Sequence, residues 1–160
     1  MIILGIDPAL NRTGWGVIKL KQANELQYVA SGIIDVAKHK NLYDKIKYLA
    51  EEIDNIIINY QAIEIALEET FVNKNPATSL KLGQARGAIM VSCLKHHNKI
   101  FEYSTNLIKK SVSGMGKADK VQIAAMIKIL LPKANFTYHD ESDALAVAIT
   151  HAQLRKMQQL

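Results

Sequence analysis

Acidic residues occupy three separated places in the sequence where carboxylates could act together. They are Asp7, Glu68, Glu69, Asp140 and Asp143. The first three close two short apolar runs, and the last two lie three apart at the start of an apolar segment with helical character. Positions three apart share one face of a helix, and the carboxyl ends of adjacent parallel strands open into one crevice. If the two runs are such strands, the acids meet in one cleft.

A cluster of this kind predicts metal chemistry. At an effective dielectric of about 20, two unit charges 4 Å apart repel by roughly 4 kcal/mol, so clustered carboxylates take up protons or hold cations. Oxygen ligands without cysteine favour Mg²⁺, or Mn²⁺ in its place, over zinc. Two such ions activate water and stabilise the leaving oxygen of a phosphodiester. We therefore expect a nuclease with two ions per subunit.

Each acid also has a simpler explanation, and the residues alone leave both open. Asp7 before Pro8 is an ordinary strand-ending turn. Asp140 and Asp143 suit a helix N-cap and its first turn, where the helix dipole favours negative charge. The glutamates at 68 and 69 can equally be solvated.

The composition favours one compact domain with an anionic partner. Hydrophobic residues make up 49% and charged residues 22%, which excludes disordered, collagen-like and coiled-coil classes. The 160 residues suit a single domain over 1–160, with a frayed tail expected over about 153–160. A formal charge of +5 and a pI near 9.2 suit nucleic acid, but also a membrane surface.

The single cysteine and the lack of a long apolar run bear on location. Cys93 cannot form an intrachain disulfide, and its apolar neighbours suit a buried residue in a reducing compartment. No apolar run approaches the roughly 20 residues of a membrane span. We therefore expect a cytoplasmic protein with no membrane partner.

Periodicity predicts an α/β fold. The runs 1–7, 14–20 and 26–34 are strands joined by turns too short for a crossover helix, so they should form an antiparallel meander. Apolar residues three or four apart from Leu42 to Tyr60 predict a helix, and the strand 63–68 that follows can lie parallel to a strand of the meander.

Helices dominate the second half of the chain. Asn75 before Pro76 marks a helix start. The expected elements are a helix from there to about His96, a strand at 99–103, and helices at about 118–131 and 141–153. The order β-β-β-α-β-α-β-α-α predicts a mixed five-stranded sheet flanked by helices, the ribonuclease H-like arrangement.

Several separated motifs resemble the RuvC family along almost the whole chain. They are ILGIDP at 3–8 with TGWGVI at 13–18, LEETF at 67–71 with Lys74-Asn75, LKLGQARG at 80–87, GMGKADK at 114–120 and DESDALA at 140–146. The opening motif also resembles actin-like kinases, whereas LKLGQARG followed by D-x-x-D-A-L-A is far more specific.

The resemblance implies an endonuclease that resolves Holliday (four-way) junctions in recombination and repair. It implies paired symmetric nicks that leave 5′-phosphates and 3′-hydroxyls, a preferred cutting sequence, and cooperation with the RuvA–RuvB branch-migration complex. It further implies that the metal ligands are Asp7, Glu68, Asp140 and Asp143. Glu69 would lie on the other face of its strand.

Two positions near the acids need comment. Ala9 stands where the family usually has glycine, so a positive φ there would add strain of order 1 kcal/mol. His139 precedes Asp140 and suits a surface histidine, with support of the metal ligands as the alternative.

The resemblance also implies DNA contacts. Lys109 and Lys120 match lysines expected near the scissile phosphate, where a cation offsets developing charge. Phe71, in a polar stretch, could stack on an unpaired base, although a phenylalanine after a strand is more often core. Further candidates for the nucleic-acid interface, which could equally be solvated surface charges, are Lys74, Arg86, Lys110 and Lys117.

Two matched cuts in a two-fold symmetric junction suggest a homodimer. Gly83 and Gly87 lie four apart on the helix from Pro76, with Leu80 and Val91 nearby. They could admit a second helix or pack on the sheet.

Three alternatives remain at this point. An actin-like phosphotransferase normally closes two such domains over a nucleotide, and this chain has room for one. A non-catalytic junction-binding module would tolerate loss of the carboxylates. A ribonuclease H-like enzyme could act on RNA.

Overall fold

A computed structural model describes residues 1–70, 75–97 and 99–158. Its five-stranded sheet has the order β3-β2-β1-β4-β5. The strands are β1 (Ile2–Asp7), β2 (Arg12–Leu20), β3 (Leu26–Asp35), β4 (Glu64–Glu68) and β5 (Phe101–Tyr103). The first three form an antiparallel meander, while β4 is parallel to both β1 and β5. The predicted mixed sheet is confirmed.

Five α-helices flank the sheet in the part of the chain that the structure describes. They are α1 (Leu42–Tyr60), α2 (Pro76–His96), α3 (Thr105–Ser113), α4 (Lys120–Leu130) and α5 (His139–Leu154). Asn75 caps α2 as predicted, because its side chain accepts from the backbone N–H groups of Ala77 and Thr78. A 3₁₀ turn continues to Gln158, and Arg155 within it donates two hydrogen bonds to Glu64. Arg155, within the segment expected to fray, is thus bound to β4.

The predicted element order was wrong at α3, which the sequence interpretation left out. Ser104 caps this helix by accepting from the Leu107 N–H, and Ile108 and Val112 lie buried one turn apart. Gly114 ends it with φ of 75°. The serine cap, the i, i+4 apolar pair and the glycine are helix signals, but the helix is only nine residues long and has one buried stripe.

Side chains alternate between the two faces of the sheet along each strand, and this alternation sets the face from which the acids project. In β1, Leu4 and Ile6 pack with α1 and α2, so Gly5 and Asp7 lie on the opposite face, beside α5. In β4, Leu67 packs with α1 and α2, so Glu68 lies on the α5 face too. Both strand-end carboxylates therefore project to the same side.

Helix α5 lies directly on the sheet because glycines leave room for its backbone. A Cβ at Gly5 would overlap the Ala144 carbonyl, and a Cβ at Gly14 would overlap the Asp140 carbonyl. Gly16 faces Leu145 in the same way. This close approach brings the acidic end of α5 next to the end of β1.

Candidate active site

Three acids from different elements line one cleft. Asp7 and Glu68 end neighbouring parallel strands, in which Ile6 lies opposite Leu67. Asp143 reaches the same cleft from α5, and the cleft has a volume of about 270 Å³. The predicted meeting of distant acids is therefore present in the fold.

Asp140 lies at the side of this cleft. It lines a neighbouring hollow together with Ala9 and Arg12, yet its charge is close enough to raise the pKa of Asp7. The four acids thus form one electrostatic group, with three inside the cleft and Asp140 at its rim.

Burial and mutual repulsion make the cleft a poor place for bare negative charge. Burial, then the charges of Glu68, Asp143 and Asp140, raise the pKa of Asp7 to about 8. Burial raises the pKa of Glu68 as well, although hydrogen bonds from Thr105 and Asp7 oppose the rise. Burial also raises the pKa of Asp143, against the effect of Lys120. Protons or cations are needed to neutralise this group.

Thr105 and Arg86 both hydrogen-bond to Glu68. The sequence interpretation did not select Thr105, and it assigned Arg86 to DNA contact. The Thr105 hydroxyl donates to Glu68 Oε1 at 2.5 Å. Arg86 Nη1 donates to the Glu68 carbonyl at 2.6 Å, and its Nη2 pairs with Glu102. Arg86 was a candidate for DNA contact; its guanidinium is instead occupied at the end of β4. No local sequence signal connects these side chains, since they come from α2, α3 and β4 and meet only in the folded protein.

The two lysines expected near the scissile phosphate both line the cleft. Lys120 Nζ lies 3.5 Å from Asp143 Oδ2, and the charge of Lys109 lowers the pKa of Glu68. Lys110 and Lys117 are exposed nearby, outside the cleft lining. The predictions for Phe71 and Lys74 lie outside the described residues.

The start of α5 does not use Asp140 as its N-cap, which was the simpler explanation for this acid. Asp140 is not the N-cap, since Tyr138 precedes the helix. The buried Glu141, which the sequence interpretation did not select, accepts from the backbone N–H groups of Thr137 and Tyr138 at 2.9 Å and from Ser31 at 3.0 Å. Glu141 therefore satisfies the helix start and leaves Asp140 and Asp143 available to the cleft.

Ala9 and His139, the two positions near the acids, show neither backbone strain nor burial. Ala9 is not among the described residues with positive φ, so the anticipated strain is absent; the Thr13 hydroxyl instead donates to its carbonyl at 3.2 Å. His139 is exposed at the surface, as expected, and its charge lowers the pKa of Asp143.

The carboxylate oxygens of the four acids suit a hard divalent cation, but they do not form a preformed cage around one point. Within residues 1–70, 75–97 and 99–158, no three acidic, histidine or cysteine side chains already surround a common point. Lys120 and Thr105 engage two of the carboxylates. The oxygen-only ligands and their excess negative charge fit Mg²⁺-type chemistry, so a bound cation would compete with those contacts and with the proton on Asp7.

Comparison with known proteins decides the family. The family model described as crossover junction endodeoxyribonuclease RuvC matches residues 3–151. The chain belongs to the RuvC family. The RuvC of Beijerinckia indica is 49% identical over 96% of this chain and 87% of the relative. A Bradyrhizobium RuvC is 46% identical over 99% of this chain and 90% of the relative.

Solved RuvC structures share the fold. Thermus thermophilus RuvC in complex with Holliday junction substrate has a TM-score of 0.88 at 25% identity, covering 99% of this chain and 96% of that one. The ribonuclease H-like arrangement predicted from the element order is therefore confirmed. Of the helices the structure describes, none combines the length and the apolar character that a membrane span requires.

Proposed function

We propose that this protein is a Holliday junction resolvase, a crossover junction endodeoxyribonuclease acting in recombination and repair. It makes paired symmetric nicks in four-way DNA and leaves 5′-phosphates and 3′-hydroxyls. The observation that carries the proposal is the convergence of Asp7, Glu68 and Asp143 in one cleft with Lys109 and Lys120, in a chain of the RuvC family.

The acids would hold divalent metal, for which we propose two Mg²⁺ ions, replaceable by Mn²⁺. The ligands would be Asp7, Glu68, Asp140 and Asp143. When bound, such ions supply an activated water and stabilise charge on the phosphodiester oxygens. Lys109 and Lys120 would bind the scissile phosphate and offset its developing negative charge, while Thr105 and Arg86 keep Glu68 aimed into the cleft.

Further residues would bind the DNA around the cleft. Lys110 and Lys117 flank the α3–α4 turn as exposed cations suited to phosphate contacts. From the sequence resemblance we propose that Phe71 stacks on a junction base and that Lys74 binds phosphate. Since the guanidinium of Arg86 is engaged with Glu68 and Glu102, its contribution would be to position Glu68.

A homodimer would present two such clefts. On α2, Leu80, Val91 and Leu94 are 67%, 60% and 48% exposed, and a Cβ at Gly83 or Gly87 would meet nothing within 4 Å. The glycines thus do not pack on the sheet, and with the three apolar residues they form one open stripe, which we call the α2 stripe. Its length and spacing suit contact with the same helix of a second copy.

The remaining inferences rest on the family. Cooperation with a RuvA–RuvB branch-migration complex and action in the cytoplasm are proposed on that basis. The positive net charge of +5 agrees with a DNA partner.

One assay tests the proposed function. Purified protein with Mg²⁺ is offered a labelled four-way junction, a linear duplex and an RNA–DNA hybrid of the same sequence. Symmetric nicks confined to the junction, with ends that ligase seals, are expected. Cleavage of the hybrid in preference to the junction would support the RNA-directed alternative instead.

A further inference from the structure

A groove on the α1 and α2 face of the sheet carries three lysines with no part in the proposed reaction. It has a volume of about 300 Å³ and is lined by Lys40, Lys45 and Lys81. Within the described chain, none of the three has an ion-pair partner, and no acidic side chain lines the groove. Three uncompensated cations in a concave surface favour an anionic ligand.

This groove is continuous with the acid cluster. A neighbouring hollow shares Leu10, Asn11 and Lys45 with it, and Asp140 lines that hollow. Asp140 in turn interacts with Asp7. One hollow beside the β1–β2 turn is therefore bordered both by the groove, through Lys45, and by Asp140 of the acid cluster.

The groove and the cleft lie on opposite faces of the sheet. Lys109 and Lys120 belong to α3 and α4, whereas Lys45 and Lys81 belong to α1 and α2. A DNA strand whose scissile phosphate lies at the acids would thus meet cations on both sides of the sheet edge. The lysine groove itself has no partner in the proposed reaction or in the proposed dimer contact.

The helix ends at the groove add to its positive character. Leu42 and Thr78, in the first turns of α1 and α2, both line it. Helix N-termini carry partial positive charge that favours phosphate groups. Asp44, the acid in the first turn of α1, is bound by the Asn41 side chain at 2.6 Å and does not line the groove.

We propose that this groove binds the phosphate backbone of the junction arm that continues from the cleavage site on the α1–α2 face. The inference rests on the proposed function, because it identifies the ligand as part of the same DNA. Lysine ammonium groups contact phosphates without reading base edges. The groove therefore contributes affinity and salt dependence, not sequence preference.

The test compares two triple variants that remove equal charge. The groove variant combines Lys40→Gln, Lys45→Gln and Lys81→Gln. The control variant combines Lys19→Gln, Lys133→Gln and Lys156→Gln, which are exposed positions outside the cleft, the groove and the neighbouring hollow. Binding to four-way and linear DNA is measured in chelator between 50 and 200 mM salt. The groove variant is expected to lose about one unit of salt slope per lysine and at least about tenfold in affinity.

The control should keep the wild-type slope, and both variants should keep the wild-type thermal midpoint. At saturating protein with Mg²⁺, the groove variant should cleave within about twofold of wild type, because its acids and cleft lysines are intact. Equal affinity and slope for groove variant and wild type would overturn the groove assignment and leave the resolvase proposal standing. Weakened binding at an unchanged slope would also overturn it, since the ligand would not be phosphate. Failure of wild type to bind junctions would instead defeat the proposed function.

Discussion

At the scale of single residues, Asp7 shows how burial and charge set the chemistry of the cleft. Its carboxyl is enclosed among other acids, and its pKa is raised to about 8. Without a cation, Asp7 therefore holds a proton near neutral pH and hydrogen-bonds Glu68. A divalent ion would replace that proton, so the affinity for metal should rise with pH.

This raised pKa predicts a specific pH dependence of stability. Because the folded protein binds the Asp7 proton more tightly than the unfolded chain, this residue's contribution to the free energy of unfolding falls as pH rises from about 4 to 8. Asp7→Asn removes this contribution. In chelator at pH 8, the free energy of unfolding of the variant should exceed that of wild type by on the order of 2 kcal/mol. This difference in stability should shrink at pH 4. Denaturant melts measure it; a difference independent of pH would contradict the argument.

Lys120 should matter for the reaction more than an equivalent lysine elsewhere. Its Nζ lies 3.5 Å from Asp143 at the cleft, where a cation can offset charge on the phosphate. Lys120→Gln should lower single-turnover junction cleavage at saturating protein by at least about tenfold. Lys128→Gln, on the same helix outside the cleft, should remain within about twofold. Equal effects of the two changes would remove Lys120 from the site.

The sequence allowed the acids to be selected from their places at strand ends and at a helix start, and the two cleft lysines from the family resemblance. It did not reveal Thr105, or the contact of Arg86 with the Glu68 carbonyl. Those contacts join residues 18 and 37 positions away from Glu68. Arg86 lies on α2 and Thr105 at the start of α3, so only the packing of these helices at the end of β4 brings them together.

At the scale of elements, the placement of α5 is the decisive feature. Its acidic N-terminal turns lie beside β1 because Gly5, Gly14 and Gly16 present no side chain to it. The sequence displayed these glycines within a motif, but which element they faced could not be derived from spacing. Helix α3 was missed because nine residues give too short an apolar pattern, although the Ser104 cap was visible.

Gly14→Ala should push the start of α5, which carries Asp140 and Asp143, away from the sheet that carries Asp7 and Glu68. The added Cβ would overlap the Asp140 carbonyl, so α5 must shift, which should cost on the order of 2 kcal/mol of stability and most cleavage activity at saturating protein. Asn59→Ala is the control, since Asn59 is exposed on α1, away from the cleft, the groove and the α2 stripe, and alanine there should be neutral or stabilising by less than about 1 kcal/mol. Chemical denaturation and junction cleavage test both. A fully active Gly14→Ala protein would contradict the close-packing argument.

At the scale of the whole molecule, two cuts in one junction require two clefts held in fixed relation. The α2 stripe offers a surface for this, and it lies on the opposite face of the sheet from the cleft. Two subunits joined there would keep both clefts free for DNA.

Leu80→Glu tests the stripe against a matched change. Leu80 and Ile129 are both 67% exposed, but they lie on α2 and α4. A buried, unpaired carboxylate at a helix contact is strongly unfavourable, so Leu80→Glu should shift sedimentation from dimer to monomer while Ile129→Glu stays dimeric. A wild-type protein that sediments as a monomer at working concentration would end the dimer proposal.

Cation-dependent cutting by the converging acids is the core of the proposed reaction. It is tested most directly by comparing wild type with Asp7→Asn on a labelled four-way junction, with binding measured in chelator and cleavage measured after addition of Mg²⁺. We predict that the variant binds the junction as well as wild type within about threefold and shows a cleavage rate reduced by at least about a hundredfold. Equal cutting by Asp7→Asn, or equal cutting by wild type in chelator, would contradict the account.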